Sequence, residues 1–453
     1  MKHKYFKISL AILLIAMSIP SVYAQKSMDL TLDEAINLAL KNSNQLKLSN
    51  AKVDEAIANY HEMWDNHLPD LKISGSFLRV DNPTVDLKVK LGGSSSDTTK
   101  KSGTSGGIKV NQAAYGMANM TLPLFSGFRI KYGVESAKFL EQAAKLDAES
   151  EKEEVVINAI NAYTNLYKSK KAIELVQENL KQQIQRVADF TNLEKNGLMP
   201  RNDLLKAQLQ QSNVELTLLD AQNNYRITCI NMDLMLGLAE NTELVPKMAT
   251  FDLLDETAPL VKWEQLAMDN RKDIASLGSR EKAAGSAIKA TKGEYYPGLA
   301  LTGGYLAADI PNLVTITNAL NIGIGLQYNL GTLWKTGAKM ELAKSHLHQI
   351  QATEAILNTR IKNEIAQAYY NYLLSQKKIE VYARSVGQSI ENFRITKNKY
   401  DNSLVTTTDL LEADVAQLQS QLNFTISQAD AFVAYKKLEQ TAGVLTSAPK
   451  ATK

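Results

Sequence analysis

The 453-residue chain holds a single cysteine, Cys229, so neither a disulfide framework nor a cysteine zinc cluster is open to it. Set inside a helical pattern, Cys229 reads as a small buried apolar residue. Histidine is scarce too, at five. His3 lies in the leader, His61 and His67 fall away from any carboxylate cluster, and His346 and His348, two apart on a helix, point about 200° apart and cannot share an ion. There is no Gly-rich phosphate loop and no nucleophile elbow. The expectation is a protein with no catalytic residues, no metal site and no cofactor.

Long hydrophobic runs are missing as well. The start, "MKHKYFKISLAILLIAMSIPSVYA", has a basic head, an apolar middle shorter than the ~20 residues of a membrane span, and small residues at its end. It reads as a signal peptide, 1–24, cut between Ala24 and Gln25. Removing Lys2, Lys4 and Lys7 brings the 51 Lys and Arg into balance with the 48 Asp and Glu. A neutral mature chain gives no support to a nucleic-acid partner. An exported chain with no apolar helix is either soluble or a β-barrel, and the strands decide between them.

What the chain does have is an internal repeat. "LPDLKISGSF" (68–77) returns 228 residues later as "YPGLALTGGY" (296–305), and the same offset lays "LALKNSNQL" on "LAMDNRKDI". Further along, "NAYTNLY" matches "QAYYNYL" and "NDLLKAQ" matches "TDLLEAD" at an offset of 206. The difference of 22 residues falls between Phe77 and about Leu124, where the Gly/Ser/Thr/Lys segment "LGGSSSDTTKKSGTSGG" (91–107) marks a solvated extracellular loop over about 83–107. Each copy has the order helix, strand, loop, strand, very long helix, tight turn, long helix.

Repeat 1 spans 25–237, with a helix over 32–65 opened by a Thr31/Glu34 capping box, a β-hairpin over 70–125 and a helical hairpin over 128–237. A linker over 238–261 leads to repeat 2 at 262–443, with a helix over 262–293, a hairpin over 298–330 and a helical hairpin over 335–443; a tail, 444–453, follows. The long helix over 128–196 is roughly 100 Å at ~1.5 Å per residue. Ile173, Val176, Leu180, Ile184 and Val187, and their counterparts Ile379, Tyr382, Val386, Ile390 and Phe393, recur at steps of three and four and predict the packing seam of helical hairpins.

In "LNIGIGLQYNL", Leu320, Ile322, Ile324, Leu326, Tyr328 and Leu330 alternate strictly with polar or small residues. Leu299, Leu301 and Tyr305, and Leu71, Ile73 and Phe77, follow the same period of two, the pattern of a membrane β-strand. Half-buried strands of soluble sheets share that pattern. Four strands in lipid leave two unsatisfied edges, and the smallest closed barrels need about eight strands. A membrane reading therefore requires several chains.

The order of these segments resembles the TolC family of outer-membrane efflux proteins over nearly the whole mature chain. The resemblance rests on "LTLDEAINLALKNS", the Pro-x-Leu entries to each hairpin, "PLFSGF" (123–128) and the paired helix-turn-helix tips. It implies a mainly α fold with membrane β-hairpins, in a homotrimer whose twelve-stranded barrel in outer-membrane lipid joins an α-helical barrel in the periplasm. It implies a passive exit duct for efflux or type I secretion, fed by an inner-membrane transporter of RND, ABC or MFS type through a periplasmic adaptor. An exported coiled-coil scaffold or adhesion protein and a stand-alone porin are the alternatives.

Candidate functional residues lie at the two tips. Gly197 suits a left-handed helix end and Pro200 the first turn of the next helix, while Thr406 with Asp409 has capping-box spacing. Asp409 and Glu412, three apart, share a helix face, and in a tube of symmetry-related hairpins they form two acidic rings; plain helix capping is the competing role for Asp409. The resemblance adds Asp203 and Tyr400 as an entrance-gate network, with Val405 where familiar members carry an arginine. It makes Gly197, Leu198, Met199, Pro200, Ser403, Leu404, Val405 and Thr406 the adaptor-docking tips.

Overall fold

A computed structural model describes residues 27–79, 81, 111–240, 242–247, 257–311 and 314–446. The signal peptide with its Ala24/Gln25 cleavage pair, the 83–107 loop, part of the 238–261 linker and the tail beyond 446 lie outside the described residues. The chain divides into two compact units. The first contains 27–50, 147–273 and 357–446 of the described residues, and the second 51–146 and 274–356. No helix among the described residues is long and apolar enough to cross a membrane.

In the first unit, β1 (Ser27–Leu30) pairs in parallel with β4 (Glu243–Pro246), Leu30 opposite Pro246. Behind this ladder lie the fully buried Leu30, Tyr163, Leu166, Met232, Leu236 and Leu244. A buried phenol needs a partner, and backbone carbonyls supply it. The Tyr163 hydroxyl reaches the carbonyls of Lys247 at 2.6 Å and Leu30 at 3.2 Å, and Tyr225 donates to Leu244 O at 2.6 Å. Burial pushes the Tyr163 phenol up to about 12.

Helix α1 (Leu32–Asn42) starts with the Thr31/Glu34 capping box, Thr31 N donating to Glu34 Oε2 at 3.0 Å. The stretch expected as one helix over 32–65 is broken at Ser43 (φ −56°, ψ 119°) and resumes as α2 (Asn44–Asp65). The break is where another helix ends. Asn42 Nδ2 donates to Leu236 O, closing the last turn of α4 (Arg201–Leu236), and a Cβ on Gly237 would lie 3.1 Å from the Asn42 side chain. Copy two repeats the arrangement: the helix expected over 262–293 is α5 (Leu260–Asn270) and α6 (Lys272–Lys292), broken at Arg271. There the chain end of α8 (Thr407–Thr441) seats, and Arg271 reaches Thr441 O at 3.2 Å, Asp273 at 2.6 Å and Glu364 at 2.9 Å.

The two copies differ in one buried acid. Glu439, 6% exposed, is paired with Lys436 at 2.8 Å. Its copy-one counterpart Asp233, fully buried on α4, makes no well-formed hydrogen bond with either carboxylate oxygen among the described residues, the backbone N–H of Thr242 only partly offsetting its burial, and the position matching Lys436 is Ile230. Burial pushes Asp233 up to about 6.

The first helical hairpin joins α3 (Arg129–Lys195) to α4, and the second joins α7 (Thr332–Asp401) to α8. The seam is rotated from the expected one. Ile173 and Val176 are buried, but the next positions down are the polar Asn179 and Gln183; Leu180 and Val187 are half-buried and Ile184 is 50% exposed. On the second hairpin Ile390 is likewise exposed, with Ile379, Tyr382, Val386 and Phe393 half-buried. A further apolar row, Leu205, Leu209, Leu216, Leu219, Ile227 and Leu234, runs exposed along α4 at helical spacing.

The second unit is built on a four-stranded antiparallel sheet in the order β2 (Asp70–Arg79), β3 (Gln112–Phe125), β5 (Gly298–Ile310), β6 (Val314–Gln327). Tyr328 and Leu330, read as part of the alternating run, lie past its end. The register assembles the alternation of each strand into continuous rows. Leu71, Met120, Gly303 and Ile322 form one row, Ile73, Ala118, Tyr305 and Leu320 the next, and Leu122, Leu301 and Ile324 a third. Between them run the rows Asp70, Thr121, Thr302, Gly323 and Lys72, Asn119, Gly304, Asn321. One face is apolar, and the other is polar or small in these rows, with Met117 and Leu306 joining Ser74 and Ala319 in the next row of that face. Below the sheet α3 and α6 meet through small residues, Ser136 Oγ donating to Ala283 O at 2.9 Å and Ser276 Oγ to Ala143 O at 3.2 Å.

Candidate functional site

The two helical hairpins of the first unit end in turns of the same construction. In the first, Gly197 takes a left-handed conformation (φ 70°), letting Leu198 N reach back to Leu193 O at 2.8 Å and Gly197 N to Glu194 O at 2.9 Å. In the second, Ser403 holds the same conformation (φ 58°) without being glycine, with Leu404 N on Lys399 O and Ser403 N on Tyr400 O, both at 2.8 Å. Both turns satisfy orphaned carbonyls by the same pair of bonds.

Of the four apolar tip residues only Leu198 and Leu404 project, 73% and 72% exposed. Met199 and Val405 are half-buried, and Met199 packs on a core of Phe190, Leu204, Ala207 and Leu410. The tightness of the turn folds the second residue of each pair back onto the hairpin.

The helix starts differ. Thr406 caps α8 with the full reciprocal box: Asp409 N donates to Thr406 Oγ1 at 3.3 Å, and Asp409 Oδ2 accepts from Thr406 N at 2.8 Å and Thr406 Oγ1 at 2.7 Å. These bonds hold the Asp409 carboxyl below its ordinary range. Pro200 at the matching place has no side chain to offer, and Asp203 instead pairs with Lys206 at 3.2 Å. Lys206 also donates to Thr408 Oγ1 at 3.3 Å, tying α4 to α8. Glu412 is exposed and borders a groove that also takes in Lys206, Val415 and Gln419.

No hydrogen bond joins Asp203 to Tyr400 among the described residues. Tyr400 stacks on Phe190, ring centroids 5.7 Å apart at 29°, and its hydroxyl accepts from Thr407 Oγ1 at 3.4 Å.

Two turns from the tips lies a network that the sequence reading missed. Asp414 on α8, 1% exposed, is surrounded by three donors from α3. Arg186 Nη1 lies 3.3 Å from its Oδ2, Asn179 Nδ2 stands 3.4 Å from the same atom, and the Gln183 amide also donates to it. Arg186 further donates to Gln183 Oε1 at 3.0 Å and lies over the Phe393 ring. One signal was available: Asn179, Gln183 and Arg186, at steps of four and three, interrupt the predicted apolar seam.

Two helix–hairpin–helical-hairpin copies, an exposed apolar sheet face and paired tips give the fold of TolC-like outer-membrane channels. The sequence profile described as Outer membrane efflux protein matches residues 35–238 and 263–444, one segment per copy, and the chain belongs to that family. Its location is the outer membrane, and neither family nor fold is that of an enzyme. The outer membrane efflux protein BepC of Brucella suis biovar 1 (strain 1330) is similar to it, 22% identical over 437 residues, covering 93% of this chain and 87% of BepC. Toxin and drug export protein A of Aggregatibacter actinomycetemcomitans is 23% identical over 416 residues, 87% of this chain and 82% of that protein. Among solved structures, the CmeC outer membrane channel of Campylobacter jejuni superposes with a TM-score of 0.77 at 16% identity, covering 94% of this chain and 90% of that one.

Proposed function

We propose that three copies of the chain close a twelve-stranded barrel in the outer membrane and form a passive exit duct for a tripartite efflux or secretion system. The observation that carries the reading is the sheet. It has one apolar face, with Ile73, Leu320 and Ile322 each more than three-quarters exposed, and its edge strands β2 and β6 each have a single neighbour among the described residues. Lipid cannot hydrogen-bond the peptide groups of those edges, so the wall has to be completed by strands of sister chains. The exposed apolar row on α4 and the absence of any buried residue along α2 support the same conclusion, since both are faces a neighbouring chain would cover. Detergent extracts of outer membranes should yield a trimer with ion conductance in planar bilayers; a freely soluble monomer would refute the duct.

The tips are the docking points for a periplasmic adaptor that links the duct to an inner-membrane transporter. Leu198 and Leu404 are the apolar side chains available for that contact. Leu198→Asn or Leu404→Asn should abolish export with trimers intact, and export at wild-type rates would reject docking through these residues. Asp409 and Glu412 act as acidic rings at the entrance, and Asp203 and Tyr400 contribute to holding it closed through contacts between neighbouring chains.

A further inference from the structure

An aromatic ladder leads from the apolar sheet face down to a pair of cations in the second unit. Phe125 sits in the row with Leu299 and Leu326 on the apolar face. Its ring meets Phe128 edge-on, centroids 5.2 Å apart at 88°, and Phe128 in turn meets Tyr132 at 6.4 Å. Two ammonium groups converge on the Tyr132 ring from different helices: Lys289 Nζ on α6 at 5.4 Å and Lys131 Nζ on α3 at 5.8 Å from the centroid. Both lysines are exposed, and neither has a carboxylate within ion-pair distance among the described residues. The ring quadrupole attracts both cations. It does not neutralise them, so two positive charges stand within 6 Å of one ring centroid.

The order of these groups along the ladder matches the order of chemistry along a phospholipid. Phe125 and Phe128, 36% and 51% exposed, are acyl-chain partners; Tyr132, amphipathic, suits the interface; the lysines stand where a phosphodiester would lie. We propose that Phe125, Phe128, Tyr132, Lys131 and Lys289 form a binding site for one anionic phospholipid of the periplasmic leaflet. This rests on the reading of the sheet as a barrel wall whose helical end faces the periplasm. Continuity with the apolar face favours a lipid headgroup over free phosphate, which would have no use for Phe125 and Phe128. The lipid would fasten α3 to α6 at the junction of sheet and helices.

The test uses the full-length protein extracted from outer membranes, delipidated in detergent, with phosphatidylglycerol added and bound lipid counted by native mass spectrometry. Wild type should retain phosphatidylglycerol, and Lys131→Ala with Lys289→Ala should retain it roughly tenfold less well, as expected for two interfacial lysines. Phe128→Ala should weaken retention while leaving the lysines in place. Equal retention by wild type and the double lysine variant overturns the site, as does failure of wild type to retain the lipid. Displacement by millimolar inorganic phosphate with no effect of Phe128→Ala assigns the cations to free phosphate and overturns the lipid. Should the double variant fail to fold, the single changes Lys131→Gln and Lys289→Gln carry the same comparison. Failure of the barrel reading looks different, because wild type itself would then be absent from the outer-membrane fraction.

Discussion

Arg186 and Asp414 stand 228 residues apart in the chain and 3.3 Å apart in the fold, joining the first helical hairpin to the second, with side chains 11% and 2% exposed. The pair lies two turns from tips that are also tied across the hairpins by the Lys206 to Thr408 hydrogen bond and by the Phe190, Leu204 and Leu410 core with Tyr400 stacked on Phe190. A buried ion pair contributes little net stability over an apolar replacement, but removing one partner leaves the other charge stranded. Asp414→Ala should therefore destabilise the helical unit by about 3–5 kcal/mol, read as a lowered midpoint in far-UV circular dichroism of the purified protein. Arg186→Met together with Asp414→Leu should recover most of the loss. A midpoint unchanged in Asp414→Ala would show that the pair does not hold the hairpins together.

At the entrance, Asp409 and Glu412 keep different company. Asp409 is engaged by the Thr406 box, whereas Glu412 borders an open groove. In single-channel recordings, Asp409→Ala with Glu412→Ala should lower cation preference; unchanged selectivity would remove the rings from the mechanism. Asp409 also links the start of α8 to acid. Its folded-state pKa lies below the ordinary 3.8, so its contribution is present above 3.8 and is lost as pH falls through the lowered value. Asp409→Asn should remove that part of the acid sensitivity, seen by comparing melts at pH 3 and pH 6.

Asp233 has the opposite sign. With its pKa raised from 3.8 to about 6 by burial, the folded state holds the proton more tightly than the unfolded chain. The protein should lose stability as pH rises from about 4 through 6, with no further change from this group above that. Asp233→Asn, which carries no charge to bury, should raise the melting temperature at pH 7.5 by a few degrees, on the order of that expected for ~1 kcal/mol in a large domain. The variant should also flatten the dependence between pH 4 and 6. A variant that melts below wild type at pH 7.5 would mean that the carboxylate is satisfied in the assembled protein.

Two glycines with the same left-handed backbone should respond differently to a methyl group. At Gly443 (φ 69°) an added Cβ would come within 2.9 Å of the backbone of Asn270 and Arg271, whereas at Gly197 (φ 70°) nothing lies within 4 Å. Gly197→Ala should lose only the conformational term, ~1–2 kcal/mol. Gly443→Ala should add a clash with rigid backbone and lower trimer yield sharply. Equal effects would mean that the helix break at Arg271 is free to move.

Much of this architecture is written locally. The period of two in 320–327 and the steps of three and four through 173–187 depend on how successive side chains point, so they name strand and helix without any partner in view. The tips were legible for the same reason: Gly197 and Pro200 in one, Thr406 and Asp409 in the other, act on backbone within a few residues. The helix breaks at Ser43 and Arg271 were not legible, because each is imposed by the end of a helix that arrives from about 170 to 195 residues further along the chain, where αL glycines seat against it.

By itself the sequence determined the order of elements, the duplication, the two faces of the sheet and the chemistry of the turns, since each is set by neighbours along the chain. Only the tertiary structure decided which side of each long helix is covered. It buried Gln183 and left Ile184 half exposed, turned Met199 inward and Leu198 outward, and put Arg186 against Asp414. Burial is a property of what another segment brings to that side, and a helical stripe carries no record of which of its edges a distant helix will choose.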